Sequence, residues 1–268
     1  IEDFFFEDGK NLYISSFAIL KKMRGKGIGK KLFQDSLNCI EKLLKEHPFY
    51  GVEEVEHYES KIDGTQKFLF SLHDGNMVES VLMKYKHGNS VCISSQAGCR
   101  MGCRFCASTL LGLSRNLYPS EMLDQIYAIQ KATGERVSHL VVMGTGEPFD
   151  NYDNVLSFIR ILNSPFALDI GARHITVSTC GVVPSILRFG KEGLQVNLAI
   201  SLHAPTNELR DKLMPINKAY PLEKLIPAII QYGNDSNGRR VTFEYILIKG
   251  VNDSIEDAKK LERLIRPT

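Results

Sequence analysis

Three of the six cysteines in this 268-residue chain fall within eight residues. They are Cys99, Cys103 and Cys106 in CRMGCRFC, spaced C-x3-C-x2-C. Thiolates so close together on one loop can converge on a single metal centre. Structural zinc asks for four protein ligands, usually as paired C-x2-C knuckles, and the sequence offers no second pair. A [4Fe–4S] cluster also takes four ligands, so three cysteines leave one iron open to a small-molecule ligand. Gly98 and Gly102 supply the backbone freedom that a tight wrap needs. An incomplete zinc site and three unrelated loop thiols are the competing readings; the scarcity of cysteine elsewhere weighs against both.

A second motif, GTGEP, places Gly144 and Gly146 where a backbone can come close to a ligand, with Glu147 able to accept from an ammonium group. Both motifs need a frame. From Val91 onward, short β-rich runs alternate with helical stretches: VCISS then 119–133, HLVVMG then 152–163, HITVST then 184–191, VNLAISLH then 207–232, VTFEYILI then 254–266. Five strand–helix units in series predict a parallel α/β sheet, open or closed into a barrel. In such folds ligands bind at the C-terminal strand ends. The cysteine loop, GTGEP, STCG and SLHA all fall at those ends, which points to an enzyme.

Upstream, KFLFSLHDGNMVESVLM reads as two strands turning at Asp74–Gly75. The chain changes character near HPFYGVEEVE, residues 47–56. Before that lie a strand-like run over 12–19, the turn RGKGIG and an amphipathic helix over about 30–46. The expected domains are therefore 1–50, a β-hairpin extension over 51–90 and the strand–helix region 91–268. Lys and Arg number 33 against 31 Asp and Glu, a net charge of +2, so any nucleic acid must be held by a local basic face. Lys84, Lys86, His87, Arg100, Arg104 and Arg115 are the candidates for phosphate contact. The sequence shows no bilayer-length apolar run and no secretory pattern, and clustered cysteines suit a reducing compartment, so a cytoplasmic location is expected.

Several longer stretches extend the C-x3-C-x2-C signal: VCISSQAGCRMGCRFCAS, GLSRNL, VVMGTGEPFDNYDNV, STCGVVPSI, AISLHAPTNELRDKLMPINKAYPL and GVNDS. In this order they resemble the radical S-adenosylmethionine (SAM) enzymes, and among them the adenine-C2 RNA methyltransferases of 23S ribosomal RNA. The likeness runs from about Val55 to the end. It implies a partial (β/α)6 radical-SAM barrel whose last strand is missing, preceded by a small α/β N-terminal fragment. It implies that Cys99, Cys103 and Cys106 hold a [4Fe–4S] cluster whose open iron chelates SAM and that a 5′-deoxyadenosyl radical results. It also implies that Gly146, Glu147, Ser178, Ser201, Leu202 and His203 contact SAM. Phe105 would pack near the adenine or merely shield the cluster. By the same resemblance Cys92 forms a transient disulfide that resolves an enzyme–RNA adduct, and Glu79 is the proton acceptor. Judged on their own, the first is a core thiol and the second a solvent-facing strand residue. The implied partners are 23S rRNA, with transfer RNA as a further candidate, and a flavodoxin- or ferredoxin-type reductant; no membrane is implied and a monomer is expected.

The chain also departs from that pattern. Thr145 stands where the family has Met. The family's methyl-carrying cysteine lies beyond a sixth strand, and neither Cys39 nor Cys180 has a matching context, so the carrier is expected to be absent. Residues 12–46 resemble part of a GCN5-related N-acetyltransferase, with Arg24, Gly27 and Gly29 matching its R/Q-x-x-G-x-G/A signature. Three alternatives stand beside C2 methylation: the C8-methylating antibiotic-resistance sibling, an acetyl-CoA-dependent acetyltransferase remnant, and a non-catalytic fragment that binds cluster or RNA.

Overall fold

The computed structural model describes residues 51–268 and, of the first fifty, residues 31, 34–38 and 42, all helical. The chain divides into two units, residues 1–50 and 51–268. Arg24, Gly27 and Gly29, with the acetyltransferase-like strand and turn, lie outside the described residues, as does Cys39.

The second unit opens with an antiparallel run of β1 (Val52–Glu59), β2 (Gln66–Leu72), β3 (Met77–Tyr85) and β4 (Gly88–Ile93). The expected hairpin at Asp74–Gly75 is β2–β3; β1 adds a strand that the sequence reading omits. Its VEEVEHYE pattern carries no apolar alternation, and nearly all of it is exposed. A short hairpin follows, β5 (Gln96–Gly98) with β6 (Leu113–Asn116), and the cysteine loop is its connection.

Strand–helix alternation then takes over: α1 (Pro119–Thr133), β7 (Val137–Val142), α2 (Tyr152–Leu162), β8 (Ile175–Thr179), α3 (Val183–Gly190) and β9 (Asn197–Ser201). The stretch expected as one helix over 207–232 is two, α4 (Asn207–Leu213) and α5 (Leu222–Asp235), separated by a 3-10 turn at Pro215–Lys218. Pro215 and Pro221 explain the break, because proline lacks the N–H that a continuing helix would need. β10 (Val241–Glu244) and α6 (Ile255–Ile265) complete the fold. The sheet order is β1-β2-β3-β4-β7-β8-β9-β10, parallel from β4 onward.

Period-2 alternation sorts the parallel strands into two faces. Val91, Ile93, Leu140, Val142, Ile175, Val177, Leu198 and Ile200 are fully buried under the helices. Their covering partners include Met122, Ile126 and Ile129 of α1, Phe158 and Ile159 of α2, and Leu225 and Ile229 of α5. The alternate residues, among them Cys92, Val141, Thr176, Ser178, Ser201 and Glu244, form the inner face. Register fixes the rows there: Cys92 pairs with Val141, Val141 with Thr176, and Ser201 with Glu244. Gln125 of α1 locks the turn where β4 ends, its Oε1 accepting from the Ser94 amide (2.9 Å) and Ser80 Oγ (2.7 Å).

Candidate active site

The cysteine loop is pinned at both ends and in the middle. Gly98 has φ +76°, and a Cβ there would lie 2.0 Å from the Gly112 carbonyl oxygen, so only glycine lets the two strands of the hairpin close. The Cys99 amide donates to that same oxygen (3.0 Å). The Arg104 amide donates to the Leu213 carbonyl (2.9 Å), docking the loop on the end of α4, and Thr109 Oγ1 donates to the Cys106 carbonyl (3.0 Å). Cys103 and Cys106 sit in an apolar cluster with Met101, Phe105, Leu213, Met214, Ala204 and Cys180.

Among the described residues no three Cys, His, Asp or Glu side chains are gathered in ligating geometry. The three loop thiols nevertheless share one neighbourhood. Burial pushes the Cys103 thiol up to about 12, and Cys99 and Cys106 add to the shift. Cys99 is raised by burial first, with Cys106 among the contributors. Three soft donors on one glycine-hinged loop, in a dry apolar shell, suit an iron cluster whose positive charge would offset the thiolates. The residues present fit that group.

The remaining predicted residues converge on the same strand ends. Glu147 is buried; its carboxylate accepts from the amides of Phe149 (3.0 Å) and Cys180 (2.7 Å). Burial raises its pKa, and these bonds oppose the rise. Gly146, at φ +109°, is demanded by packing: a Cβ would sit 2.6 Å from Gln96 Cβ. This turn thus packs closely on the Gln96 backbone and side chain at the start of β5. Ser178 and Ser201 donate their hydroxyls to one oxygen, Glu244 Oε2, at 3.2 and 3.1 Å. Leu202 is fully buried. His203 occupies the left-handed region at φ +56°, held by the Ile246 amide on Nδ1 (3.1 Å) and by Asn252 Nδ2 on its carbonyl (2.8 Å). Burial, with Arg210 nearby, lowers its pKa to about 4, so the ring is neutral at pH 7. Phe105 meets His203 edge-on, ring centroids 4.8 Å apart, which joins the cysteine loop to the end of β9.

Cys92 lies on the inner face, its thiol pushed up to about 11 by burial, with the Glu244 carboxylate contributing. Glu79 is on the same face of the neighbouring antiparallel strands, since Val81, two residues on, pairs with Cys92. Its carboxylate is half-exposed and ion-paired with Lys67 Nζ at 2.5 Å.

Three of the six basic residues expected to meet phosphate are in ion pairs. Arg115 is held by Asp74 and Glu121, Arg100 by Asp150 and Lys84 by Glu135. Lys84, Lys86 and His87 lie where β3 turns into β4, the sheet end opposite the cysteine loop, because β3 runs antiparallel to β4. Arg104 is exposed and makes no ion pair among the described residues.

Three residues of this site escaped the sequence reading. Glu244 could have been noticed as a lone charge inside the apolar run VTFEYILI. Asn252, buried, ties the segment after β10 to His203. Arg210 is fully buried and donates to the carbonyls of Cys180 (2.6 Å), Ser201 (3.3 Å) and Leu202 (3.2 Å), yet NELRDKL looks like an ordinary solvated helix face.

A largely parallel α/β sheet with a three-cysteine loop after its first parallel strand, and polar groups gathered at the C-terminal strand ends, defines a radical-SAM type of protein. The radical SAM superfamily matches residues 93–261. A relative from Lachnoclostridium phytofermentans, named "Probable dual-specificity RNA methyltransferase RlmN", is 57% identical over 225 residues, 84% of this chain and 63% of the relative. One of the same name from Thermoanaerobacter sp. (strain X514) is 49% identical over 268 residues, 99% of this chain and 78% of the relative; that alignment takes in the first fifty residues. The crystal structure of a radical SAM methyltransferase from Sphaerobacter thermophilus superposes with a TM-score of 0.80 at 39% identity, covering 92% of this chain and 78% of that one. The chain belongs to the radical SAM superfamily and, within it, to the RlmN family. It spans less than two thirds of the length of the Lachnoclostridium relative.

Proposed function

We propose that this chain forms the cluster- and SAM-binding part of a methyltransferase that acts on C2 of an adenine in 23S rRNA, with transfer RNA as a second substrate. The observation that carries this reading is the convergence of the cysteine loop, Glu147, Ser178 and the Ser201–His203 segment at one end of the sheet, with Phe105 against His203 as the join. Cys99, Cys103 and Cys106 would hold the [4Fe–4S] cluster. When bound, the cluster and SAM supply a 5′-deoxyadenosyl radical.

The chain's own residues prepare the site. Two backbone amides, with the Thr179 and Cys180 side chains beside them, fix the Glu147 carboxylate, and it would orient an ammonium donor through the lone pairs these bonds leave. Gly146, Ser178, Ser201, Leu202 and His203 complete the cofactor wall, and the neutral His203 ring adds no charge beside it. Cys92, protonated at neutral pH, waits on the inner face as the thiol that would resolve a covalent RNA adduct: its sulfur would bond to the sulfur of the methyl-carrying cysteine as that sulfur's bond to carbon breaks, with the electron pair and a proton passing to the RNA-bound carbon. Glu79 takes a proton after leaving Lys67. A flavodoxin- or ferredoxin-type reductant, a cytoplasmic setting and a monomeric state accompany this reading. Among the described residues no helix is long and apolar enough to cross a membrane.

The test is anaerobic reconstitution followed by incubation with SAM, reductant and a 23S rRNA fragment. 5′-Deoxyadenosine is the expected product, lost together with bound iron in Cys103→Ala. 2-Methyladenosine in the recovered RNA supports C2, whereas 8-methyladenosine would move the assignment to the C8 sibling. A fully loaded cluster that yields no 5′-deoxyadenosine would overturn the reading.

A further inference from the structure

Arg210 is fully buried, yet no carboxylate lies within ion-pair distance of it among the described residues. Asp211, the next residue, takes up Asn217 Nδ2 instead (2.7 Å). Among the described residues the guanidinium donates to neutral oxygens alone. Nε bonds the Leu202 carbonyl, Nη2 those of Cys180 and Ser201, and Nη1 the side-chain oxygen of Asn217 (3.0 Å). These bonds occupy its protons but leave its charge uncancelled. A charge out of water without an opposite one is costly, and buried arginines are rarely left so. An anion is the natural complement.

The packing indicates where that anion belongs. Arg210 lies on α4, whose Leu209 and Leu213 pack in the apolar cluster with Cys103, Cys106 and Cys180. The Leu213 carbonyl takes the Arg104 amide, which ties the cysteine loop to the same helix. The guanidinium opposes the upward pKa shifts of the Cys103 and Cys180 thiols, so its charge is felt at the loop. Glu147 is the other buried charge nearby, but its carboxylate holds the Cys180 amide, while Arg210 holds the carbonyl of that residue. With no surface open to solvent, Arg210 offers no face to a diffusing ligand. It acts through space, across apolar side chains that screen charge far less than water does.

We propose that Arg210 is a fixed counter-charge that raises the reduction potential of the cluster held by Cys99, Cys103 and Cys106. Reduction adds a negative charge at the loop, and a cation fixed nearby favours that state over the oxidised one. Nearby charge is among the levers that set such potentials. Arg210 thus acts as a positioning residue, easing the entry of an electron without touching the reacting atoms. The inference rests on the cluster reading above, and its test separates the two.

The test is an anaerobic potentiometric titration of the reconstituted chain, followed by the electron paramagnetic resonance of the reduced cluster. Iron and sulfide content is measured for every variant. At an effective dielectric constant of about 20, a unit charge about 10 Å away shifts a one-electron equilibrium by about tenfold, or about 59 mV. Arg210→Met is expected to move the midpoint more negative by about that amount. Arg210→Lys keeps the charge without the planar fork and should stay within about threefold of the wild type. Both variants disturb the bonds to Cys180, Ser201 and Leu202, so a merely structural role would move both alike. Asn217→Asp places an anion on Nη1 with the arginine still present, and the midpoint should fall there too.

A loaded Arg210→Met with an unchanged midpoint would overturn this assignment alone, as would equal shifts in the Met and Lys variants. If neither Arg210 variant loads its cluster, Asn217→Asp decides: a lowered midpoint upholds the assignment and an unchanged one overturns it. A wild type with no reducible iron–sulfur signal would overturn the cluster reading and this inference with it.

Discussion

The two faces of the parallel sheet are built from alternate residues of the same strands, and they do different work. Ile200 is fully buried against the helices, while its neighbour Ser201 turns inward to Glu244. Val177 and Ser178 repeat the division, as do Ile93 and Cys92. The covered face is dominated by aliphatic side chains, whose contribution scales with area and volume. The inner face carries a thiol, several hydroxyls and a carboxylate, each placed by a pairing register that the covered face enforces. Stability and chemistry are thus separated by one residue along the chain.

That separation is broken most severely on the covered side. Ile200→Ala removes a fully buried side chain and is expected to cost about 2–5 kcal/mol by urea denaturation. Ser201→Ala deletes one hydroxyl bond and should cost only about 1 kcal/mol. Equal losses at the two positions would show that the inner face supports the fold as much as the covered one does.

Much of this was legible beforehand, because the periodicities that mark strands and helices are local. The five strand–helix units, the Asp74–Gly75 turn and the location of the cysteine loop all follow from such patterns. The polar network does not, because it depends on which strands become neighbours. Glu244 meets Ser178, 66 residues away, only through the order β8-β9-β10. Arg210 reads as a surface residue until the α4–Pro215 corner turns it under the site. The short β5–β6 hairpin was missed because strands of three and four residues carry too little alternation to register. For the basic residues the opposite holds: charge is visible in sequence, but its partners Asp74, Glu121, Glu135 and Asp150 are not.

The inner face can also be probed by reactivity. A thiol pKa raised from 9.0 to about 11 means that less thiolate exists at any given pH, so Cys92 should resist alkylation. With the cluster loaded to protect the three loop thiols, iodoacetamide at pH 8 should label Cys92 about 100-fold more slowly than an unperturbed thiol. The rate should climb as pH rises from 9 toward 11. Labelling at the ordinary rate would show that the thiol is not buried on this face.

The smallest effect is expected at the margin of the same face. Lys67 and Glu79 are each about half-exposed, with side-chain accessibilities of 46% and 50%, so water and salt screen their ion pair. Glu79→Gln should change stability by less than about 1 kcal/mol, and less still at high salt. SAM affinity should not change, because Glu79 lies on the antiparallel strands away from the cofactor wall. Turnover should nevertheless fall if Glu79 takes the proton, and the fall should be in kcat. Unchanged turnover would remove Glu79 from the chemistry and leave it a surface strand residue. A loss of several kcal/mol would instead make it a structural tie between β2 and β3, which a half-exposed pair in water has no physical means to be.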